Sequence, residues 1–174
     1  MKNLLLVSLL ISQILVAQDQ TNPILTDDPK AQRKWVNKQM RSMNLEEKIG
    51  QLFMVAAFTK DDLDNTKEIS EFIDKYHIGG VIFSKGSPHK QAKVTNQFQD
   101  KSNIPLLIGM DAEWGLAMRL DSTYAFPYNL TLGAIQDDNL VGEIGYQIGN
   151  HNRRLGVHIN FAPVVDINTN PKNP

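Results

Sequence analysis

Asp111, Glu113 and Arg119 are the residues of this chain whose types and spacing best suit chemistry. An apolar run, Leu106 to Ile108, passes through Gly109-Met110 into two acids separated by Ala112. Trp114 and Gly115 follow, and Arg119 stands eight residues after the first acid. A second apolar stretch, Val157 to Val165, ends in the same manner at Asp166. A carboxylate can accept hydrogen bonds from two vicinal hydroxyls, so polar groups of both signs gathered at strand ends suit a polyhydroxylated ligand.

Each of these residues also has a purely structural reading. Asp111 is either a ligand contact, a cap for the segment after it, or a bridge partner of Arg119. Glu113 reads first as structural, through a pair with Arg119 or a backbone cap. Trp114 either stacks on a ligand or fills core. Asp166 is a site member or a loop-fixing acceptor, and Lys85 belongs in solvent. His77, His89, His151 and His158 lack the spacing of a metal site, and no metal is expected. The chain has neither a glycine-rich phosphate loop nor a Gly-x-Ser-x-Gly elbow.

The elements that must position these groups alternate. Phe53 to Ala57, Val81 to Phe83, Ile104 to Met110 and Val157 to Val165 read as buried strands. Between them, Asp62 to Tyr76 and Pro88 to Lys101 carry helical periodicity. Their expected inner faces are Leu63, Ile69, Phe72, Ile73 and Tyr76, and Ala92, Thr95 and Phe98. Residues 111–136 form a long connection. A helix then starts at Asp137-Asp138, with Leu140, Val141, Ile144, Ile148 and Leu155 inward, and Gly156 closes it. Ahead of the first strand, Asp28-Pro29 starts a helix, and Asn44 with Glu47 spells a capping box for a second.

Continuous apolar strands alternating with helices make an α/β fold with a parallel sheet. Four such units are the N-terminal half of a (β/α)8 TIM-type barrel, which needs about 250 residues. A small doubly wound sheet is the alternative. In either fold, ligands bind at the carboxyl ends of the strands, where Asp111 and Asp166 lie.

Residues 1–17 read as a signal peptide, with Lys2 ahead of the apolar stretch Leu4 to Val16 and a small residue, Ala17, at its end. Residues 18–26 form a linker, and 27–174 the partial barrel. The expected location is therefore periplasmic or secreted, without stable membrane insertion once the signal is cleaved. The chain has no cysteine, hence no disulfide. The net charge of -1 argues against nucleic acid or an anionic membrane as partner.

At these residues the chain resembles the N-terminal barrel of glycoside hydrolase family 3. The similar stretches are Leu45-Glu-Glu-Lys-Ile-Gly-Gln-Leu52, Gly79-Gly-Val-Ile-Phe83, Asp111-Ala-Glu-Trp-Gly115, Phe126-Pro127 with Leu132-Gly-Ala134, and Leu155 to Asp166, continued by Asn168-Thr-Asn-Pro171. The Asp-x-Glu-x-Gly form is similar to the β-N-acetylglucosaminidase branch. The β-glucosidase branch usually places histidine where this chain has Trp114. The resemblance implies an exo-acting retaining hydrolase that removes terminal β-linked N-acetylglucosamine, with peptidoglycan fragments as the expected source. It implies that Asp111 binds hydroxyls of the terminal sugar, with Glu113, Arg119 and Asp166 as lesser candidates.

Retaining hydrolysis needs a carboxylate nucleophile and a proton donor. In that branch the nucleophile is a later aspartate and the acid/base is a histidine–aspartate pair. A Lys-His pair and an arginine that bind the sugar also follow the Asn-Pro segment. No catalytic residue maps onto this chain, which is expected to be an inactive N-terminal fragment of the enzyme. A further C-terminal domain in the parent is open. No cofactor is implied, because carboxylate and imidazole chemistry suffices. The other expectations are a β-glucosidase of the same family, a non-catalytic carbohydrate-binding protein, or a truncated product.

Overall fold

The computed structural model describes residues 27–165, 169, 170 and 172. The expected signal peptide, the linker and Asp166 lie outside the described residues. The chain divides into two compact units between Ser42 and Met43. The first holds helix α1 (Pro29–Ser42). It starts as the sequence predicts: Asp28 Oδ1 accepts from Lys30 N at 3.1 Å and Ala31 N at 2.9 Å. Those amides have no partner within the helix, which is why an acid is favoured before the first turn.

The second unit opens with helix α2 (Leu45–Gly50), closed at its start by the expected capping box. Asn44 Oδ1 accepts from Glu47 N, and Glu47 Oε2 accepts from Asn44 N, both at 2.8 Å. Then follow β1 (Met54–Phe58), α3 (Thr66–Tyr76), β2 (Gly80–Lys85), α4 (Pro88–Lys101) and β3 (Leu107–Met110). After β3 come a 3-10 turn (Leu116–Met118), α5 (Asn129–Leu132), α6 (Asp138–Arg154) and β4 (Ile159–Asn160).

All strands are parallel, in the spatial order β1-β2-β3-β4. That order separates the two expected architectures. A doubly wound sheet reverses its strand order at a switch point, whereas a barrel adds each strand beside the last. The register places Val55, Val81 and Ile108 in one row and Ala57, Phe83 and Met110 in the next. Ile69 and Ile73 of α3 and Val94 and Phe98 of α4 join these rows in a single core. Fully burying side chains such as Phe83, Ile69 and Ile108 contributes about 1.5–3 kcal/mol each. The opposite face carries Ala56, Ile82 and Gly109. This is the N-terminal half of a TIM-type barrel, with helices on one face of the sheet.

Several elements differ from the sequence reading. Strand β3 spans Leu107–Met110, not Ile104 to Met110, and Leu140, expected inward on α6, is exposed. Helix α3 starts at Thr66, not Asp62, because the preceding polar side chains bind backbone instead. Asp64 Oδ1 accepts from Thr66 N at 2.9 Å, and Asn65 Oδ1 accepts from Phe58 N at 2.9 Å. Leu63 and Tyr76, expected inward, are exposed. Helix α4 buries Gln91 and Val94 with Thr95 and Phe98, while Ala92 is only half-buried. The fourth strand is two residues, not the nine of Val157 to Val165. At its start, His158 Nδ1 accepts from Ile108 N at 3.0 Å, so a side chain takes the place of a strand carbonyl.

Candidate functional site

Asp111 is the first residue after β3, at the carboxyl end of the sheet. Its neighbour Ala112 is fully buried and gripped from β4. Asn160 Oδ1 accepts from Ala112 N at 2.9 Å, and Asn160 Nδ2 donates to Ala112 O at 3.4 Å. One side chain thus satisfies both backbone groups of a residue that has left the strand ladder, where unpaired polar groups would be costly.

Arg119 is positioned from the other side. The turn Leu116–Met118 presents Leu116 O to both Arg119 N at 2.9 Å and Leu120 N at 2.7 Å. Leu120 is buried and forms a parallel bridge with Gly86 just beyond β2. Asp121 N donates to Gly86 O at 2.8 Å. Gly86 has φ +140°, and a Cβ there would lie 1.8 Å from Thr59 Oγ1. Only glycine lets β1, β2 and the Arg119 segment meet this closely.

Between these anchors, Arg119 Nη2 donates to Asp111 Oδ2 at 2.6 Å. The side chains are 26% and 34% exposed, so water screens the pair and its net contribution is about 1 kcal/mol at most. Arg119 Nε is buried and has no hydrogen-bond partner among the described residues. The pair therefore leaves a donor unused, and Asp111 keeps acceptor capacity toward solvent. This arrangement can bind hydroxyls. It holds no second carboxylate placed for covalent glycoside chemistry among the described residues.

Of the residues the sequence singled out, Asp111 and Arg119 meet. Glu113 does not join Arg119; its Oε2 accepts from Asn129 Nδ2 at 3.2 Å. The turn that Gly115 N closes on Ala112 O at 3.1 Å follows Asp111, and Glu113 reaches Asn129 of α5 instead. Trp114 is half-buried and meets Tyr128 edge-on, with ring centroids 4.8 Å apart. Lys85 is exposed, as expected. Asp166 lies outside the described residues. An open cavity of about 280 Å³ lies beside Glu113, Asn129 and Asn160, with apolar walls from Ile144, Ile148 and Pro163. Among the described residues, no three acids, histidines or cysteines gather as metal ligands. No helix of the described residues is long and apolar enough to cross a membrane.

Sequence reasoning missed Asn160 and Gly86. The signal for Asn160 was present, since a lone amide inside the apolar run Val157 to Val165 needs a buried partner.

The profile of the glycosyl hydrolase family 3 N-terminal domain matches residues 44–174. The chain belongs to glycosyl hydrolase family 3. Among family relatives, it is 37% identical over 120 residues to a β-hexosaminidase A of Pseudoalteromonas piscicida, covering 62% of this chain and 20% of the relative. It is 29% identical over 140 residues to a β-N-acetylglucosaminidase/β-glucosidase of Cellulomonas fimi, covering 80% of this chain and 24% of the relative. The chain thus spans about a quarter or less of the length of these curated relatives. Among solved structures, a β-glucoside phosphorylase, BglX, bound to 2FGlc superposes with a TM-score of 0.75 at 25% identity. That match covers 83% of this chain and 26% of that one.

Proposed function

We propose that these residues form the N-terminal part of an exported, exo-acting, retaining β-N-acetylglucosaminidase, acting on peptidoglycan fragments. The observation that carries the reading is the Asp111–Arg119 pair at the end of β3, with Asp111 part-exposed and bound through one oxygen. In this role Asp111 accepts hydrogen bonds from hydroxyls of the terminal sugar. Arg119 holds the carboxylate in place through Nη2. Glu113 supports the loop through Asn129, and Asp166 is a further candidate on the same rim.

The choice of N-acetylglucosamine is supported by the hexosaminidase name of the Pseudoalteromonas relative and by the Asp-Ala-Glu-Trp-Gly segment. The nucleophile and the acid/base belong to the remainder of the enzyme, so the 174-residue chain alone is inactive. The test is an assay of the full-length polypeptide on 4-nitrophenyl β-N-acetylglucosaminide and 4-nitrophenyl β-glucoside, with product anomers followed by NMR. Release from the acetamido sugar with retained configuration supports the reading; no release from it overturns it.

A second reading, β-glucoside cleavage, is favoured by the phosphorylase neighbour and by the dual name of the Cellulomonas relative. Running the same assay with and without inorganic phosphate separates them. Preference for glucoside, with a sugar phosphate as product, would favour the second.

A further inference from the structure

The ladder between β3 and β4 changes its step at Ile159-Asn160. Ile108 O accepts from His158 N at 2.8 Å, and Met110 O accepts from Phe161 N at 2.9 Å. These acceptors stand two residues apart on β3, whereas their donors stand three apart on the partner segment. The fourth strand therefore carries one extra residue, a bulge, and a bulge beside a site re-aims what lies next to it. At the ordinary step of two, Ala112 O would next accept from residue 163. That residue is Pro163, which has no N–H to give. The regular pairing thus breaks off on either side of Asp111.

Asn160 takes over where the ladder stops. Its Oδ1 accepts from Ala112 N at 2.9 Å. Its Nδ2 donates to Ala112 O at 3.4 Å, an oxygen that also receives Gly115 N at 3.1 Å. Ala112 is fully buried, so its amide finds no water in exchange. Asp111 therefore lies between two buried residues tied to the fourth strand, Met110 by the ladder and Ala112 by a side chain. Its carboxylate is held from the other side, by Arg119 Nη2 at 2.6 Å. The backbone restraint and the side-chain restraint come from different parts of the sheet.

We infer that Asn160 is a positioning residue: through Ala112 it fixes the backbone from which the Asp111 carboxylate reaches the sugar. The inference rests on the glycosidase reading above, in which Asp111 receives hydroxyls of the terminal ring. Asn160 then acts on activity through Asp111. Such geometry tolerates little drift, since misplacing a group by about 1 Å can cost about a hundredfold in rate. Without the Asn160 amide, Ala112 N has lost its partner, and the turn after Asp111 is free to shift away from β4.

The test is a double-mutant cycle in the full-length enzyme, assayed well below the unfolding midpoint of every variant. Asn160→Ala should lower kcat/KM on 4-nitrophenyl β-N-acetylglucosaminide about tenfold where Asp111 is present. In the Asp111→Ala background the same substitution should cost about twofold or less, because the group it positions is gone. Equal fold losses in the two backgrounds would mean a general structural effect and overturn the proposal, as would full activity in Asn160→Ala. If Asn160→Ala does not fold by circular dichroism, Asn160→Ser takes its place in the cycle under the same criteria. If the unmutated enzyme does not cleave the acetamido sugar, the reading of that sugar fails, and the cycle is run on 4-nitrophenyl β-glucoside. If it cleaves neither, the glycosidase reading fails, and crystal structures of the parent and of the Asn160 variant judge the positioning. Asp111 displaced from Arg119 in the variant supports it; an unchanged pair overturns it.

Discussion

Asn160 closes two hydrogen bonds on one residue, accepting from Ala112 N at 2.9 Å and donating to Ala112 O at 3.4 Å. This brace ties the residue after Asp111 to the neighbouring strand. Asn160→Ala should destabilise the chain by about 1–3 kcal/mol, because it leaves the buried Ala112 amide unpaired, while Ala112 O keeps Gly115 N at 3.1 Å. Asn160→Asp should cost less, since the acceptor for Ala112 N survives. Urea denaturation of the three proteins checks this order. Equal midpoints for Asn160→Ala and the parent would show that the brace carries no stability.

Asp111 is only part-buried and pairs with Arg119 through one oxygen, so its removal spares the core. In the full-length enzyme, Asp111→Ala should lower kcat/KM on an N-acetylglucosaminide by on the order of a hundredfold, the cost of losing charge-assisted hydrogen bonds, with the melting temperature nearly unchanged. Arg119→Lys should not restore what Arg119→Ala loses. An ammonium cannot replace a planar fork that binds Asp111 with one nitrogen and offers another. Unchanged activity in Asp111→Ala would remove it from the sugar site.

Much of the fold is legible in the residues. The capping box at Asn44 and Glu47, the proline start of α4 and the C-terminal Gly156, which has φ +71°, are local signals that the structure realises. The parallel α/β alternation is equally local, because buried strands and amphipathic helices differ in period. What the sequence hid is where side chains replace backbone. The run from Val157 to Val165 reads as one strand by hydrophobicity, yet His158 and Asn160 spend their side chains on Ile108 and Ala112. The same holds before α3, where Asp64 and Asn65 bind backbone and delay the helix. At the site, the sequence left Arg119 with two acids to choose from. Spacing alone could not decide between Asp111 and Glu113, because the decision lies with the long-range Leu120–Gly86 bridge.

That bridge yields a prediction about Gly86. Its φ of +140° is strained for any side chain, and its missing Cβ leaves room for Thr59 Oγ1. Thr59 is itself tied to β2, with its N donating to Lys85 O at 2.8 Å and its Oγ1 at 3.2 Å. Gly86→Ala should therefore cost about 2–4 kcal/mol, from backbone strain and overpacking together. Thr59→Ser, which keeps the hydroxyl in place, should not rescue it. Thr59→Gly in the Gly86→Ala background removes the colliding atoms and should recover part of the loss. Thermal unfolding of the single and double variants reads this, and a neutral Gly86→Ala would show that the junction can spread.

Asp64 links stability to pH. Its carboxyl is held below the ordinary aspartate value, first by the Thr66 hydroxyl and amide and then by Lys90. Lys90 Nζ lies 3.0 Å from Asp64 and 2.8 Å from Asp61, whose carboxylates raise the Lys90 pKa in return. The lowered acid sets the sign. The stabilisation is fully present above the unfolded aspartate value of about 3.9 and is lost as pH falls through the lower native value. Asp64→Asn should therefore reduce stability at neutral pH by about 1 kcal/mol or less, because the site is solvent-screened. It should also flatten the decline in stability below about pH 4, since one fewer native carboxylate then takes up a proton. Thr66→Val, which removes the hydroxyl but keeps the amide, should give a partial version of the same change. Unfolding midpoints from about pH 2 to about pH 7, which bracket the carboxylate range, check it. A parallel decline in the parent and in Asp64→Asn would show that Asp64 titrates alike in the folded and unfolded chains.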